Sequence, residues 1–432
     1  MIDRQLSSVR TRRLIVGVVL AAGLIAAGCE LFKAPSVPRH SPGRTSARPE
    51  SRPDIYPVAV WYYVRSYVPE LQNQARNVMT GDFAHLRSLG FNTIVADAIE
   101  DDRRALLLDV AQRQSVRVIL PHNGTTAYIR GGRSDRTVRS SPASVVGQNV
   151  QRVGHHPALF MHYVYDAPFL DVVDRLARIV KQYQRQDPGH PVFVSLSQDV
   201  AALARQADLP MVLWDNFPLA EDAGPGELRN RRYDAPPTHA DALAEIYAQT
   251  PDRQHWAMIQ ALAMPGRIRM PAPAEWSVIY LTSLAAGFVD GVVFYRYHAA
   301  ERPDSGLASA NHTMSPERTA AVRRITRRAL KWGPMLRRSR PSPQTVRTED
   351  GRLRAVLLIG PKRRFLLAFN PDVVTFGYDT LYIPTTVQGQ PVARAVNVDE
   401  LKRFVSPAGR AEIAVKLRLR PGEGCLLELF GP

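Results

Sequence analysis

Cysteine is nearly absent from this chain, and lysine is scarce. Only Cys29 and Cys425 occur in 432 residues, which leaves no material for a disulfide framework or a thiolate metal centre. Lysine supplies six of the 56 basic residues, arginine the rest, and the formal net charge is +16. Such a surface favours anionic partners: acidic glycans, lipopolysaccharide or anionic lipid. No Gly-rich phosphate loop follows the first apolar strand, which argues against nucleotide binding. The adjacent His155 and His156 have no acidic partner at ligand spacing, so no metal site is expected, and nothing signals a cofactor. The apolar run over residues 14–25 is short for a membrane-spanning helix.

That run has another use. Arg4, Arg10, Arg12 and Arg13 precede it, and Ala26-Ala27-Gly28-Cys29 comes after it. Small residues before a Cys at the end of an apolar segment resemble the bacterial lipobox. The resemblance implies a lipoprotein signal peptide over 1–29, with Cys29 acylated as the new amino terminus. An ordinary secretory signal or a short membrane anchor is the alternative. Glu30 is not the Asp that favours inner-membrane retention, which implies a lipid-anchored protein of the cell envelope, on the outer membrane. Export leaves no role for nucleic acid. With Cys29 lipidated, Cys425 has no partner and reads as a buried, inert thiol. Residues 30–55 are rich in Pro, Ser and Arg, and form a disordered tether.

From Tyr56 onward, short apolar runs alternate with helical periods. Strands are expected over 57–64, 92–97, 116–121, 159–165, 191–195, 211–215, 256–261 and 291–297. Helices are expected over 82–89, 102–114, 142–153, 169–184, 198–206, 239–249, 272–286 and 315–331. Eight strand–helix pairs of this size predict a (β/α)8 TIM barrel over 56–335. The strands are continuously apolar, as strands covered on both faces must be. A doubly wound open sheet is the alternative architecture. Two long loops, 122–141 and 217–237, come directly after strands and so belong on the active-site face. After a linker at Pro341 and Pro343 the helical period vanishes. Alternating short strands then predict a small all-β sandwich over 345–432.

Three stretches resemble bacterial glycoside hydrolases of the retaining (β/α)8 clan, many of which carry a C-terminal β-sandwich. The first runs from Val153-Gly154-His155-His156-Pro157-Ala158-Leu159 to Asp166-Ala167-Pro168, similar to the segment around the fourth strand. The second is Met211-Val212-Leu213-Trp214-Asp215-Asn216-Phe217-Pro218, similar to the end of strand six. The third is Trp256-Ala257-Met258-Ile259-Gln260-Ala261 with Arg269-Met270-Pro271-Ala272-Pro273-Ala274-Glu275-Trp276. The resemblance implies action on a polysaccharide through two carboxylates, one donating a proton to the leaving oxygen and one attacking the anomeric carbon or activating a water. In the clan these are glutamates at the ends of strands four and seven. Here those positions hold Ala167 and Gln260, and neither side chain can do that work.

Asp166, beside Ala167, and Asp215, at the end of strand six, are the candidate catalytic carboxylates. Asp166 also reads as a cap for the next helix. Asp97, with Glu100, Asp101 and Asp102 just after it, is a further candidate, and that run also suits a helix N-terminus. Glu275 reads as a first-turn helix carboxylate. For substrate contact, Trp61, Asp97, His122, Asn123, Tyr165, Gln260, Arg296 and Tyr297 sit at strand ends. Barrel packing competes with that role for Trp61. Arg296 suits a carboxylated or sulfated sugar. A catalytically inactive, glycan-binding or scaffold protein is the competing reading. The basic run Arg323, Arg324, Arg327, Arg328, Lys331 falls on one helix face, either as a solvated exterior or as a contact for anionic lipid.

Overall fold

The computed structural model describes residues 55–64, 72–97, 99–131, 140–228, 238–298, 306–308, 313–405 and 411–432. The expected signal peptide, Cys29 and all but the last residue of the expected tether lie outside the described residues. Among the described residues no helix is long and apolar enough to cross a membrane.

Eight parallel strands close into a barrel: β1 (Val58–Tyr63), β2 (Thr93–Asp97), β3 (Arg117–Pro121), β4 (Leu159–Asp166), β5 (Val192–Leu196), β6 (Met211–Trp214), β7 (Gln254–Gln260) and β8 (Gly291–Tyr295). Closure is made by β8 against β1, with Val58 opposite Val292 and Val60 opposite Phe294. The described helices are α1 (Gln72–Ser88), α2 (Arg104–Arg113), α3 (Asn123–Arg130), α4 (Pro142–Val153), α5 (Val173–Gln186), α6 (Val200–Gln206), α7 (His239–Gln249), α8 (Pro273–Ala285) and α9 (Pro316–Leu336).

Strand alternation sorts the side chains. On β1, Ala59 and Trp61 point into the barrel while Val58, Val60 and Tyr62 point out against the helices. The interior is unusually aromatic: Trp61, Tyr163, Phe193 and Trp256 fill it with Met161, Met211 and Met258. Trp61 meets Tyr163 edge-on at 5.4 Å and Tyr295 at 5.0 Å. Each such side chain, fully buried, contributes roughly 1.5–3 kcal/mol, so the barrel is a packed core and not a channel.

Behind α9 lie the antiparallel strands. A six-stranded sheet runs in the order β17 (Arg403–Val405), β16 (Arg394–Asn397), β19 (Gly424–Phe430), β12 (Arg364–Phe369), β11 (Arg354–Ile359), β9 (Arg340–Pro341). A three-stranded sheet pairs β10 (Arg347–Thr348), β13 (Gly377–Pro384) and β18 (Glu412–Leu419). A short hairpin of β14 (Thr386–Val387) and β15 (Gln390–Pro391) stands beside them. Leu366, Leu427 and Leu429 of the large sheet meet Leu381, Ile383, Ile413 and Val415 of the three-stranded one, which makes a sandwich. The opposite face of the large sheet, through Phe365, Leu367, Phe369 and Leu426, packs on the barrel's helical layer. The approach is close: a Cβ on Gly424 would stand 2.8 Å from Leu281 of α8. Cys425, on the other face of β19, is buried in the sandwich core, and burial pushes its thiol up to about 12, so it is inert.

The structure departs from the sequence reading in four places. Helix α1 begins at Gln72, ten residues before the expected start, because Ala75, Met79, Phe83 and Leu86 keep an apolar stripe buried throughout. Strand β8 ends at Tyr295, and Tyr297 lies beyond it. Helix α3 occupies part of the expected loop 122–141; Ile129 is buried and the Thr125 hydroxyl meets Tyr183 at 3.2 Å. The expected linker holds β9, which pairs with β11 through Pro341 opposite Leu358.

Candidate active site at the barrel mouth

The C-terminal strand ends carry the polar residues. On β2, Val95 points inward and period two brings Asp97 inward as well; on β6, Leu213 does the same for Asp215, just past the strand. Strand β4 breaks the period. Its register against β5 slips between Tyr163 and Tyr165. Tyr163 points into the barrel, while Val164 and Tyr165 both pack against the outer layer. This bulge re-aims the chain, so Asp166 shares the inner side with Tyr163. Asp215 is nearly buried, Asp97 is half-buried and Asp166 is exposed.

The phenols register this convergence. Burial pushes Tyr163 well above its ordinary range, and the charges of Asp166 and Asp97, with a hydrogen bond to Asp166, push it further. Tyr295 is likewise raised, first by burial, then by Asp215 and, more weakly, by Asp166 and Asp97; Arg296 opposes. Three carboxylates, at the C-terminal ends of the even strands β2, β4 and β6, therefore all act electrostatically on the Tyr295 phenol. Both tyrosines stay protonated near neutrality and can donate hydrogen bonds. Arg296 lies against the rings of Tyr63 and Tyr295, at 5.4 and 5.9 Å. Its Nε is buried without a hydrogen-bond partner among the described residues. The Tyr295–Arg296 peptide is cis.

The turn after Asp166 is unusual. Ala167 has φ +46°, in the left-handed region, and its N–H donates to Ser195 O at 2.9 Å. Asp166 does not cap a helix: the helical turn at Leu170–Val172 and α5 start behind Phe169 and Val172, and neither N-terminus has a side-chain cap.

Other expected site residues lie elsewhere. Gln260 is fully buried. Its Nε2 donates to Arg269 O at 2.6 Å and Leu262 O at 3.2 Å, and its Oε1 accepts from Leu219 N–H at 3.0 Å. It staples the chain after β6 to the chain after β7, so the expected substrate contact does not hold. Tyr297 is buried in the outer layer, its hydroxyl 2.6 Å from His85 Nδ1; it too is removed from the mouth. Tyr165, packed on the outer layer, is displaced by the β4 bulge. Trp61 serves barrel packing, with its indole Nε1 unpartnered among the described residues. Trp214 points outward and stacks on His239 at 5.4 Å. Asn123 is exposed at the start of α3 and donates to Ile99 O at 3.2 Å. Glu275 is buried; its carboxylate takes Arg269 at 2.6 and 2.7 Å and the N–H groups of Gly226 and Ala272. Burial opposes ionisation there, but these donors outweigh it and hold Glu275 below its ordinary range. Asp101 pairs with Arg104 and Arg152, both at 2.9 Å, on the outside of the barrel.

His122 belongs to a buried array that sequence reasoning missed, and it makes no hydroxyl contact at the mouth. Its Nε2 lies 2.9 Å from His162 Nδ1; His162 Nε2 lies 2.8 Å from Asp187, and Asp187 also receives His190 Nδ1 at 2.9 Å. His162, Asp187 and His190 offer ligand atoms within 4.8 Å of one another, enough to gather a divalent ion. The hydrogen-bonded arrangement satisfies the protons better. With Asp187 accepting from both imidazoles, His122 Nδ1 and His190 Nε2 are lone pairs; the Asn149 amide side chain serves the first, and the second has no hydrogen-bond partner among the described residues. With an ion bound, both would become N–H groups, and that of His190 would be buried without an acceptor, which is costly. Burial lowers the pKa of His122 and of His162, which keeps both neutral. The only sequence signal was a His inside an apolar strand.

No family model matches the chain, and a search of curated proteins returns no match. Solved structures do match. A glycoside hydrolase family 5 protein from Bacteroides vulgatus aligns with 10% identity over 87% of this chain and 90% of its own, at a TM-score of 0.60. A catalytic mutant of a family 42 β-galactosidase from G. stearothermophilus aligns with 8% identity over 88% and 99%, also at 0.60. A maltogenic α-amylase from Thermotoga neapolitana aligns with 11% identity over 87% and 99%, at 0.53. At these identities the likeness establishes the fold: a (β/α)8 barrel followed by a β domain, as in these glycoside hydrolases.

Proposed function

We propose that this chain is a glycan-acting, glycoside hydrolase-like protein of the cell envelope that works through Asp166 and Asp215. The observation that carries this reading is that strand alternation and the β4 bulge turn Asp97, Asp166 and Asp215 inward at the C-terminal ends of β2, β4 and β6. Hydrolysis of a glycosidic bond needs one carboxyl to protonate the leaving oxygen and another to attack or to activate water. Asp166, exposed beside the Tyr163 hydroxyl, reaches the leaving group. Asp215, nearly buried, faces the anomeric carbon. Asp97 orients sugar hydroxyls. Arg296, whose guanidinium lies against the Tyr63 and Tyr295 rings, selects a carboxylated or sulfated sugar by its charge. Sequence similarity to the lipobox supports a lipid anchor on Cys29 and an outer-membrane location; labelled palmitate incorporated by wild type and lost in Cys29→Ala tests it.

A second reading has its own support. Ala167 and Gln260 stand where glutamates are expected, and a barrel of this kind can bind glycan without cleaving it. Reducing-sugar release across anionic and neutral polysaccharides, paired with glycan-array binding, separates the two. Release that Asp166→Asn abolishes supports hydrolysis. Binding without release supports the inactive reading.

A further inference from the structure

The basic run on α9 has found neighbours. Arg323, Arg324, Arg327, Arg328 and Lys331 line one open groove of about 550 Å³, which Asp399 closes from the β16–β17 hairpin. Lys331 Nζ meets Asp399 at 3.0 Å, and Trp332 Nε1 donates to the same oxygen at 3.2 Å, so helix and hairpin are tied together. Arg328 lies over the Trp332 ring at 5.2 Å, and Arg323 donates to Ser88 O. Arg324 and Arg327 are exposed and form no ion pair among the described residues.

This is a poor design for a helix that needs only to be solvated. The five cations stand three and four residues apart, where like charges oppose helix formation. A second observation identifies their counterpart. Large apolar side chains are exposed on the same two elements: Leu330 on α9 (40%), and Leu401 and Val405 on the hairpin (73% and 66%). Lys402 and Arg403 are exposed between them. Cations flanked by exposed Leu and Val on two tied elements match an interfacial surface, whose apolar groups enter a bilayer while basic groups meet its phosphates. A soluble phosphate would need the cations and not the exposed apolar side chains.

We propose that the α9 groove and the β16–β17 hairpin together seat on an anionic phospholipid bilayer. This surface is separate from the barrel mouth, and the proposal is independent of any glycan activity. The test uses the full chain and vesicles of phosphatidylcholine with and without phosphatidylglycerol. An acylated or basic amino terminus contributes equally to wild type and variant, so the readout is the anionic-to-neutral partition ratio of each. Each Arg near an anionic surface is worth about five-fold in partitioning. Arg324→Ala/Arg327→Ala is therefore expected to lower the ratio on the order of 30-fold at low salt, with the gap closing at high salt. Leu401→Ser is expected to lower partitioning into both vesicle types several-fold, with little salt dependence. An unchanged ratio in the double variant overturns the proposal. So does release by inorganic phosphate beyond that by chloride at matched ionic strength, which would mark the groove as a site for free phosphate.

Discussion

Replacing Gln260 with Glu restores a carboxylate to the strand-seven position, at a cost set by the partners of the amide it removes. The Gln260 amide donates to two carbonyls, Arg269 O at 2.6 Å and Leu262 O at 3.2 Å, while its oxygen accepts from Leu219. Glu keeps the acceptor and loses both donors. An ionised carboxylate would place a charged oxygen against two carbonyl oxygens in a fully buried site. Each deprived carbonyl costs about 1–3 kcal/mol, so Gln260→Glu should lose roughly 3–5 kcal/mol at neutral pH. That corresponds to on the order of 5–10 °C in Tm for a domain of this size. Protonation returns one donor, so the folded-state pKa is raised above the unfolded value of about 4.3. The loss is therefore smallest below about pH 4.3 and grows as pH rises. Guanidinium denaturation of both proteins at pH 4 and pH 7.5 reads this as a difference that widens with pH. A variant as stable as wild type at both values would refute the reasoning, and would mean that the side chain is free in the cleft.

Two further outcomes are expected. Ala167→Gly should stabilise the fold by about 1 kcal/mol, since a left-handed conformation penalises Ala and not Gly; an unchanged or lower denaturation midpoint contradicts this. Acid should destabilise the protein before carboxylates titrate. Burial pushes the His239 pKa down to about 3, and His122 and His162 are also lowered. Their contribution is full above the unfolded value of about 6.5, and falls as the unfolded chain takes up protons below it. His239 alone accounts for about 2 kcal/mol lost between pH 7 and pH 5. His239→Gln should remove that share of the slope in denaturation measurements, and a slope unchanged by the variant would sink the assignment.

The barrel was legible because each strand is a short apolar run between helical periods; α4 and α7 fall on their expected bounds. Strand ends were legible too, which is why Asp97, Asp166 and Asp215 could be singled out. The hidden features depend on register and on distant partners. The β4 bulge decides that Asp166 turns in and Tyr165 out, and no period in Phe160-Met161-His162-Tyr163-Val164-Tyr165 announces it. Gln260 looks like a vacated nucleophile until residues 219, 262 and 269 are seen to consume its amide. His122 looks like a strand-end contact until His162 and Asp187, 40 and 65 residues away in sequence, claim it.

The central claim is that carboxylates of β4 and β6 do chemistry at the barrel mouth. Its most direct test is reducing-end release from anionic polysaccharides by wild type, Asp166→Asn and Asp215→Asn at matched stability. The account predicts release by wild type and a loss of about 100-fold or more in each variant, in keeping with removal of an acid or base. Wild-type release that survives in both variants would contradict it.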